Sequence, residues 1–297
     1  MSLTRLQLLE SVAERLGAEQ LHYGHGTDNA FDEAVWLVTH QLGFSPAEPL
    51  PGPDDLVPQD KELAVEMVLR QRIETRKPLA YLLNSAWFCG LEFYVDERVI
   101  VPRSPIAELI ENEFSPWILS PPEKILDLCT GSGCIAIACA MQFSQATVYA
   151  SDLSEDALAV AEINRRKHLL ARRVILLQAD IFHGLPEQRY DLIVSNPPYV
   201  DAEVLAALPE EYQREPELSL AAGEDGLNIV RRILRQAERF LTDNGVLICE
   251  VGDSEVALQN AYPDVPFLWL EFEFGGHGVF LLHAHDLRKH CDRFANE

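Results

Sequence analysis

The segment Asn196-Pro197-Pro198-Tyr199 contains the residue types that most directly indicate chemistry in this sequence. Its two prolines lack backbone N–H groups and stiffen the chain, and the residue before a proline is biased toward an extended conformation. The side-chain carbonyl of Asn196 and the backbone carbonyl of Pro197 therefore form a rigid pair of acceptors. Such a pair can accept both N–H groups of a substrate amide.

An amide nitrogen is a weak nucleophile because its lone pair is delocalised into the carbonyl group. Two acceptors that hold its N–H groups favour a pyramidal nitrogen, whose lone pair can point at an electrophilic methyl group, and they stabilise the positive charge that develops. The ring of Tyr199 can form one wall of the pocket and contact a cationic centre. We therefore predict that Asn196, Pro197, Pro198 and Tyr199 are catalytic residues. The alternative is an ordinary strand-terminating turn, which Asn-Pro and Pro-Pro also favour.

A glycine turn, Asp127-Leu-Cys-Thr-Gly131-Ser-Gly133, lies between an apolar strand pattern and a helical pattern. Glycines permit positive φ and a close approach of the backbone to a ligand, and a helix N-terminus offers free N–H groups. The turn predicts a small-molecule pocket that involves Asp127, Gly131 and Gly133. Packing alone can also require such glycines, and the third glycine of a dinucleotide fingerprint is absent.

Two further strand patterns end in aspartates. Asp152 lies about 20 residues beyond the glycines, where a carboxylate can bind both hydroxyls of a ribose. Asp180 can accept a proton of an adenine amino group, and Ile181 and Phe182 can pack on the adenine ring. Each aspartate alone could be a helix N-cap. Because the carboxyl ends of parallel strands meet at one edge of a sheet, the set predicts a cofactor site beside Asn196.

The order of the predicted elements supports a ligand site at the edge of a parallel sheet. From about residue 123, short apolar runs alternate with helical patterns, which predicts a parallel sheet covered by helices. The last two runs, 266–274 and 278–284, are separated by a segment too short for a crossover, so they should form an antiparallel hairpin at the edge of the sheet.

The first part of the chain has a different pattern. Apolar residues at steps of three and four predict helices over about 3–16, 28–42 and 59–76. From Pro78 the aromatic and β-branched runs SAWFCG, LEFYV and RVIVP predict a small hairpin, and a helix should follow over about 104–117. We therefore expect a helical substrate-recognition domain (1–80), a linker (81–122) and a catalytic domain (123–297).

The charge composition limits which classes of partner the protein is expected to bind. The chain has 24 Lys and Arg against 47 Asp and Glu, a net charge of -23. This charge repels phosphate backbones and favours a basic protein partner over nucleic acid. The alternative is that the acidic residues serve only to keep the protein soluble, as in many acidic proteins. Without a long apolar run or a leader pattern, we expect a cytoplasmic protein with no membrane contact. The six cysteines lack a Cys-x-x-Cys pair and are expected to be reduced, and no metal site is expected.

Several blocks of this sequence resemble one known group. LDLCTGSGCIAIACA, ASDLSEDALAVAEIN and DLIVSNPPYV are similar to the core blocks of Rossmann-like class I methyltransferases with an Asn-Pro-Pro-Tyr motif, and PLAYLLNSAWFCGLEFYVDERVIVPRS resembles the linker of the protein glutamine N5-methyltransferases. The resemblance implies an α/β fold with a seven-stranded mixed sheet and a C-terminal antiparallel hairpin. It also implies S-adenosylmethionine as the cofactor and a glutamine held by residues 196–199. It assigns cofactor contacts to Gly131, Gly133, Asp152 and Asp180.

The linker separates two branches of that family. The branch that modifies release factors typically continues from Pro-Arg with Pro-Asp-Thr-Glu, whereas here Arg103 is followed by Ser104, Pro105, Ile106 and Ala107. The stretch HYGHGTDNAFDEAVWLV is similar to the branch that modifies large-subunit ribosomal protein three, so a basic ribosomal protein is the expected substrate. Glutamine methylation of release factors, adenine N6 methylation of nucleic acid and a non-enzymatic assembly factor are the alternatives.

Overall fold

The structure, a computed structural model, describes residues 3–295. Its first part contains three helices: α1 (Arg5–Ala18), α2 (Ala30–Leu42) and α3 (Gln59–Thr75). Thr4 and Gln7 form a reciprocal capping box at the start of α1, and Asn29 caps α2. Because side-chain caps satisfy the free N–H groups of a first helical turn, residues next to each helix determine where α1 and α2 begin. The three predicted helices are confirmed, with ends that shift by one or two residues.

A short helix, α4 (Leu79–Leu83), leads into the linker, which contains the hairpin β1 (Ala86–Phe88) and β2 (Leu91–Phe93), and α5 (Ile106–Glu111). The predicted hairpin is confirmed. The run RVIVP was also expected to be β-structure, and this was wrong: Val99 and Val101 are fully buried, but the N–H of Val101 donates to a side-chain carboxylate instead of a strand. The predicted helix over 104–117 is shorter, because the chain turns through positive φ at Glu113 and Phe114.

The remaining chain forms the expected α/β unit around a seven-stranded sheet. Its strand order is β5-β4-β3-β6-β7-β9-β8; the first five are parallel, β9 is antiparallel to β7, and β8 is antiparallel to β9. In chain order the elements are β3 (Lys124–Leu128), α6 (Cys134–Gln142), β4 (Thr147–Asp152), α7 (Glu155–Lys167), β5 (Val174–Gln178), β6 (Tyr190–Ser195), α8 (Ala202–Ala207), α9 (Asn228–Phe240), β7 (Leu241–Glu250), α10 (Glu255–Ala261), β8 (Leu268–Trp269), β9 (Val279–His283), α11 (Ala284–Lys289) and α12 (Cys291–Phe294).

The C-terminal hairpin has the predicted pairing but a shorter first strand. Of the expected strand over 266–274, Leu268 and Trp269 form the ladder with β9, and the N–H of Leu270 donates to the carbonyl of Val279 (2.9 Å). The backbone N–H groups of Glu273 and Phe274 donate instead to the carboxylate of Glu108 in α5. This side-chain acceptor draws the second half of the run away from the sheet and toward the linker.

An apolar cluster joins the amino-terminal helices to the rest of the protein. Buried residues of α1–α4 pack with the linker residues Val95, Val99 and Val101 and with Ala157 and Val160 of α7. The amino-terminal helices thus pack on the linker and on α7 of the α/β unit, while the proposed domain bounds remain a prediction. No helix within residues 3–295 has the length and apolar character needed to cross a membrane.

A second link between the two parts is made of buried charges. The segment 201–220, which we call the strap, begins and ends at an isolated parallel bridge between Val200 and Ala221, beyond the end of β6. Glu211 of the strap contacts Arg72 of α3 (3.4 Å), and Glu215 makes two contacts of 2.6 Å with Arg103 of the linker. The side chains of Glu211, Glu215 and Arg72 are almost completely buried.

Arg72 provides a stability test of this link. Replacing it by methionine (Arg72→Met) leaves the buried carboxylate of Glu33, 2.8 Å away, without its cation and leaves Glu211 with Arg76 alone. We expect the free energy of unfolding to fall by about 3 kcal/mol or more, as for other broken buried ion pairs. Denaturant unfolding measures this loss.

The control is Arg70→Met in the same helix, because Arg70 pairs with Glu74 in solvent. An exposed pair contributes less than about 1 kcal/mol. Equal losses in the two variants would contradict a structural role for the buried pair.

Candidate active site

A cleft opens at the carboxyl edge of the parallel strands. Residues from the ends of β3, β4, β5 and β6 form one side of it, and the strap and α9 form the other. The cleft is lined by Ile100, Cys129, Gly131, Ser151, Asp152, Leu153, Ala179, Asp180, Ile181, Asn196, Pro198, Leu218, Ser219, Ile229 and Arg232. The structure therefore places Gly131, Asp152, Asp180 and Asn196 in one cavity, in the position expected for open α/β sheets.

The carboxylate of Asp127 holds the glycine turn from its buried side. This carboxylate is fully buried, and its Oδ2 atom accepts hydrogen bonds from Thr130 Oγ1 (2.5 Å) and from the backbone N–H of Ala136 (3.1 Å). Burial raises the pKa of Asp127 to about 7, and the two hydrogen bonds oppose this rise only in part. Asp127 thus shapes the turn, and it is not among the residues that line the cleft.

The two glycines of the turn have different surroundings. Gly131 has φ of 56° and open space where a Cβ would lie, so its backbone faces the cleft. Gly133 has φ of 81°, and a Cβ there would lie 3.2 Å from Ala161 Cβ of α7. Gly133 is therefore required for the packing of α6 on α7, and the cleft lining does not include it.

Asp152 lines the cleft and also supports the turn. Its Oδ2 atom accepts the backbone N–H of Gly131 (2.9 Å), and its Oδ1 atom accepts the N–H of Ser154 (2.9 Å). Burial raises its pKa, which the backbone hydrogen bonds partly offset. Carboxylate oxygens have further lone pairs, so both oxygens can still accept a ligand hydroxyl.

The third strand end differs from the prediction in one residue. Asp180 lines the cleft and forms an ion pair of 2.8 Å with Arg232 of α9. Ile181 lines the cleft with φ of 56°. Phe182 was expected to pack on the ligand together with Ile181, but it is buried and stacks on Phe240 of α9, with ring centroids 4.6 Å apart. The chain direction reverses here, so only the first of these two side chains faces the cavity.

The Asn-Pro-Pro-Tyr segment begins directly after β6. Ser195 fixes the strand end through a hydrogen bond from its hydroxyl to the carbonyl of Leu128 in β3 (2.9 Å). Asn196 lines the cleft, and its side chain makes no hydrogen bond with any of the residues 3–295 that the structure describes. Pro197 is buried, whereas Pro198 lines the cleft. The amide of Asn196 is thus available to a ligand.

Tyr199 is held at several points. Its hydroxyl donates to Glu250 (2.9 Å) at the end of β7, and its carbonyl accepts the hydroxyl of Ser254 (2.9 Å). A Cβ at Gly252 would lie 2.6 Å from the Tyr199 ring, so only glycine permits this close approach. The hydroxyl of Ser104 in the linker also donates to Glu250. Burial raises the pKa of Glu250, while the bonds from Ser104 and Tyr199 act in the opposite direction.

Glu250, Leu218 and Ser219 were missed by the sequence interpretation. Glu250 carries the same signal as Asp152 and Asp180, an acidic residue at the end of an apolar strand, and could have been found. Leu218 and Ser219 carry no such signal, because the buried contacts of Glu211 and Glu215 far along the fold bring the strap to the cleft.

Comparison with known proteins agrees with this geometry. A model of the methyltransferase small domain matches residues 112–209. The ribosomal protein uL3 glutamine methyltransferase of Francisella tularensis subsp. tularensis (strain SCHU S4 / Schu 4) is 48% identical over 287 residues, which cover 96% of this chain and 91% of that protein. The protein of the same name from Burkholderia pseudomallei (strain K96243) is 46% identical over 290 residues, 94% of each chain. The chain belongs to the ribosomal protein uL3 glutamine methyltransferase family.

A solved structure supports the fold. The hMettl16 catalytic domain, in complex with MAT2A 3′UTR hairpin 6, superposes with a TM-score of 0.51 at 15% identity, covering 79% of this chain and 86% of that chain. At this identity the likeness concerns the fold alone. It agrees with the predicted Rossmann-like class I methyltransferase fold, which the family match and the seven-stranded mixed sheet confirm.

The raised pKa of Asp127 leads to a pH prediction. The unfolded chain should lose this proton near pH 4 and the folded protein near pH 7, so the protonated carboxyl stabilises the fold at low pH and this contribution is lost as pH rises through about 7. We expect the difference in free energy of unfolding between the Asp127→Asn protein and the wild type to shift in favour of the variant from about pH 4 to about pH 8. Denaturant unfolding across this range measures the shift, and a difference independent of pH would refute the prediction.

Proposed function

We propose that this enzyme transfers a methyl group from S-adenosylmethionine to the side-chain amide nitrogen (N5) of a glutamine in large-subunit ribosomal protein uL3. The near full-length similarity to two proteins named for this activity carries the proposal. The geometry supports it, because an unengaged asparagine amide lies at the strand edge in the same cleft as the glycine turn and two strand-end aspartates. A reaction on a ribosomal protein would take place in the cytoplasm.

The cleft suits the proposed cofactor on its own chemistry. When bound, S-adenosylmethionine supplies a methyl group on a sulfonium, an electrophile that needs no metal. Gly131 offers open space against its backbone, Asp152 offers oxygens for ribose hydroxyls, and Asp180 an acceptor for an adenine amino group. Ile181 and Leu153 provide apolar contact area beside these acids. Of the cofactor contacts predicted from sequence, we assign supporting roles to Asp127, Gly133 and Phe182, which shape the cleft from beneath.

The substrate amide would be held by Asn196 and Pro197. The Asn196 side-chain carbonyl and the Pro197 backbone carbonyl each accept one N–H, which orients the nitrogen lone pair and stabilises the developing positive charge. Neither oxygen can remove a proton. We infer that the proton leaves to water after transfer, because no histidine or lysine lines the cleft among the residues that the structure describes.

Tyr199 would form the wall behind the reacting nitrogen, and Glu250 would act as its positioning residue. The hydrogen bond from the Tyr199 hydroxyl orients the ring, and the bond from Ser104 connects the same carboxylate to the linker. Burial and the adjacent Glu250 raise the pKa of Tyr199, so the phenol remains protonated and continues to donate. A ring held in this way would contact the cationic centre that forms at the substrate nitrogen.

The substrate assignment is tested by mass. Purified uL3 and a release factor are each incubated with the enzyme and S-adenosylmethionine, and peptides are sequenced by mass spectrometry. We expect one methyl group on a glutamine of uL3 and none on the release factor. Methylation of the release factor alone would assign the enzyme to the other branch of substrates, and methylation of neither would overturn the proposed substrate class.

The assigned roles are tested by a pair of variants with opposite effects. We expect Asn196→Ala to lower kcat by about 100-fold or more, as when one oriented polar group of a catalytic site is removed, with an unchanged Kd for S-adenosylmethionine. We expect Asp152→Asn to weaken cofactor binding about tenfold or more, because a charged acceptor is lost. Calorimetric titration and single-turnover kinetics separate the two effects. Weak cofactor binding by the Asn196 variant would contradict the division of roles.

A further inference from the structure

A second groove lies outside the cleft, between α2 and the linker hairpin. It is lined by Asp28, Asp32, Val35 and Trp36 on the helical side, by Trp87 of the hairpin, and by Pro102 at its end nearest the cleft. None of these residues takes part in the cofactor or amide sites described above. Its chemistry therefore requires a separate explanation.

One wall of the groove is an exposed aromatic side chain. Trp87 occupies the outward position of β1, and 40% of its surface is exposed, whereas its strand neighbours Ala86 and Phe88 are buried. A tryptophan offers a large contact area with little conformational entropy to lose, and it is enriched among residues that dominate binding energy in interfaces. The ring face of tryptophan also attracts cations.

The opposite rim is acidic. Asp28 and Asp32 are both exposed, and neither forms an ion pair with a lysine or arginine within residues 3–295. Asp32 only accepts a hydrogen bond from the Asn29 amide (2.8 Å). No lysine or arginine is present among the described residues that line the groove. The electrostatic potential at the groove is therefore negative, in a chain whose net charge is -23.

The groove is continuous with the active site along the backbone. Val101 and Pro102 line the groove, the preceding Ile100 lines the cofactor cleft, and the following residues Arg103 and Ser104 hold the strap and Glu250. A chain that occupies the groove would thus lie one short stretch of linker away from the Asn-Pro-Pro-Tyr segment.

We propose that this groove binds a segment of the protein substrate that carries a lysine or arginine next to an apolar residue, at a distance from the modified glutamine. The cation pairs with Asp28 and Asp32 and lies near the Trp87 ring, and the apolar residue packs on Trp87 and Val35. The proposal rests on the proposed function, in that the occupant is a basic ribosomal protein. It adds a docking surface, which determines affinity for the folded substrate and leaves the chemical step unchanged.

The test uses the full-length enzyme with two groove variants, Asp28→Asn combined with Asp32→Asn, and Trp87→Ala. Two controls match them outside the groove: Glu14→Gln combined with Asp54→Asn removes the same charge from exposed sites, and Leu119→Ala removes an apolar side chain that is 94% exposed. Each protein is assayed with uL3 and with a short peptide around the glutamine, and its affinity for uL3 is measured by titration calorimetry without cofactor. Thermal unfolding verifies that each variant is folded.

We expect both groove variants to raise KM and Kd for uL3 by about tenfold with unchanged kcat, and to leave turnover of the short peptide unchanged. The carboxylate variant should also reduce the salt dependence of binding. Groove variants that bind uL3 like their controls would overturn the proposal.

The binding measurement separates this proposal from the proposed function. If the wild type binds uL3 through the groove but does not methylate it, the docking surface stands and the substrate assignment fails. If the wild type methylates uL3 and the groove variants match their controls, the reverse holds. If the wild type neither binds nor methylates uL3, both proposals fail.

Discussion

The contact of two buried glutamates with three arginines constrains the arrangement of the whole site. Glu211 and Glu215 lie on the strap. Glu211 contacts Arg72 of α3 and Arg76 directly after it, and Glu215 contacts Arg103 of the linker. Burial alone would raise the pKa of Glu215, but the charge and hydrogen bonds of Arg103, together with the His25 ring 3.8 Å away, lower it to about 2. The carboxylate is therefore ionised, and the strap cannot leave its position without exposing an unpaired arginine.

This constraint has a direct consequence for the cofactor cleft. Leu218 and Ser219 follow Glu215 by three and four residues and form part of the cleft lining. The ion pairs thus connect the amino-terminal helices and the linker to the strap, which forms one wall of the cleft. The linker adds a second connection, because Ser104 donates to the same Glu250 carboxylate that holds the Tyr199 hydroxyl. A substrate bound near the linker therefore lies against residues that fix the position of Tyr199.

Local signals in the sequence were sufficient for most of the fold. The alternation of apolar runs and helical patterns predicted the sheet, and strand-end polar residues identified Gly131, Asp152, Asp180 and Asn196 as neighbours. The failures share a physical cause. Glu108 and Glu215 accept backbone N–H groups from distant segments, so the run near Phe274 and the RVIVP run form loops where a strand pattern is present. Side-chain acceptors supplied by another element cannot be seen in the periodicity of the segment that they capture.

The same limit applied to the roles of single residues in the site. Strand-end position predicted that Asp127 and Phe182 would be near the ligand, but position along a strand does not determine the direction of a side chain after the chain turns. Asp127 points into the core and holds Thr130 and Ala136, and Phe182 turns toward α9. Both residues support the cavity although neither lines it.

The charges that remain around the cleft limit how the reaction can proceed. Asp152 already accepts two backbone N–H groups, and Asp180 is paired with Arg232, the one cationic side chain among the described residues of the cleft lining. Glu250 is buried and accepts from Tyr199 and Ser104. Each of these carboxylates is therefore already engaged with fixed partners, and its protonation would weaken those contacts. In the proposed mechanism, methyl transfer at this site would therefore depend on orientation of the amide by Asn196 and Pro197 and not on removal of a proton before attack.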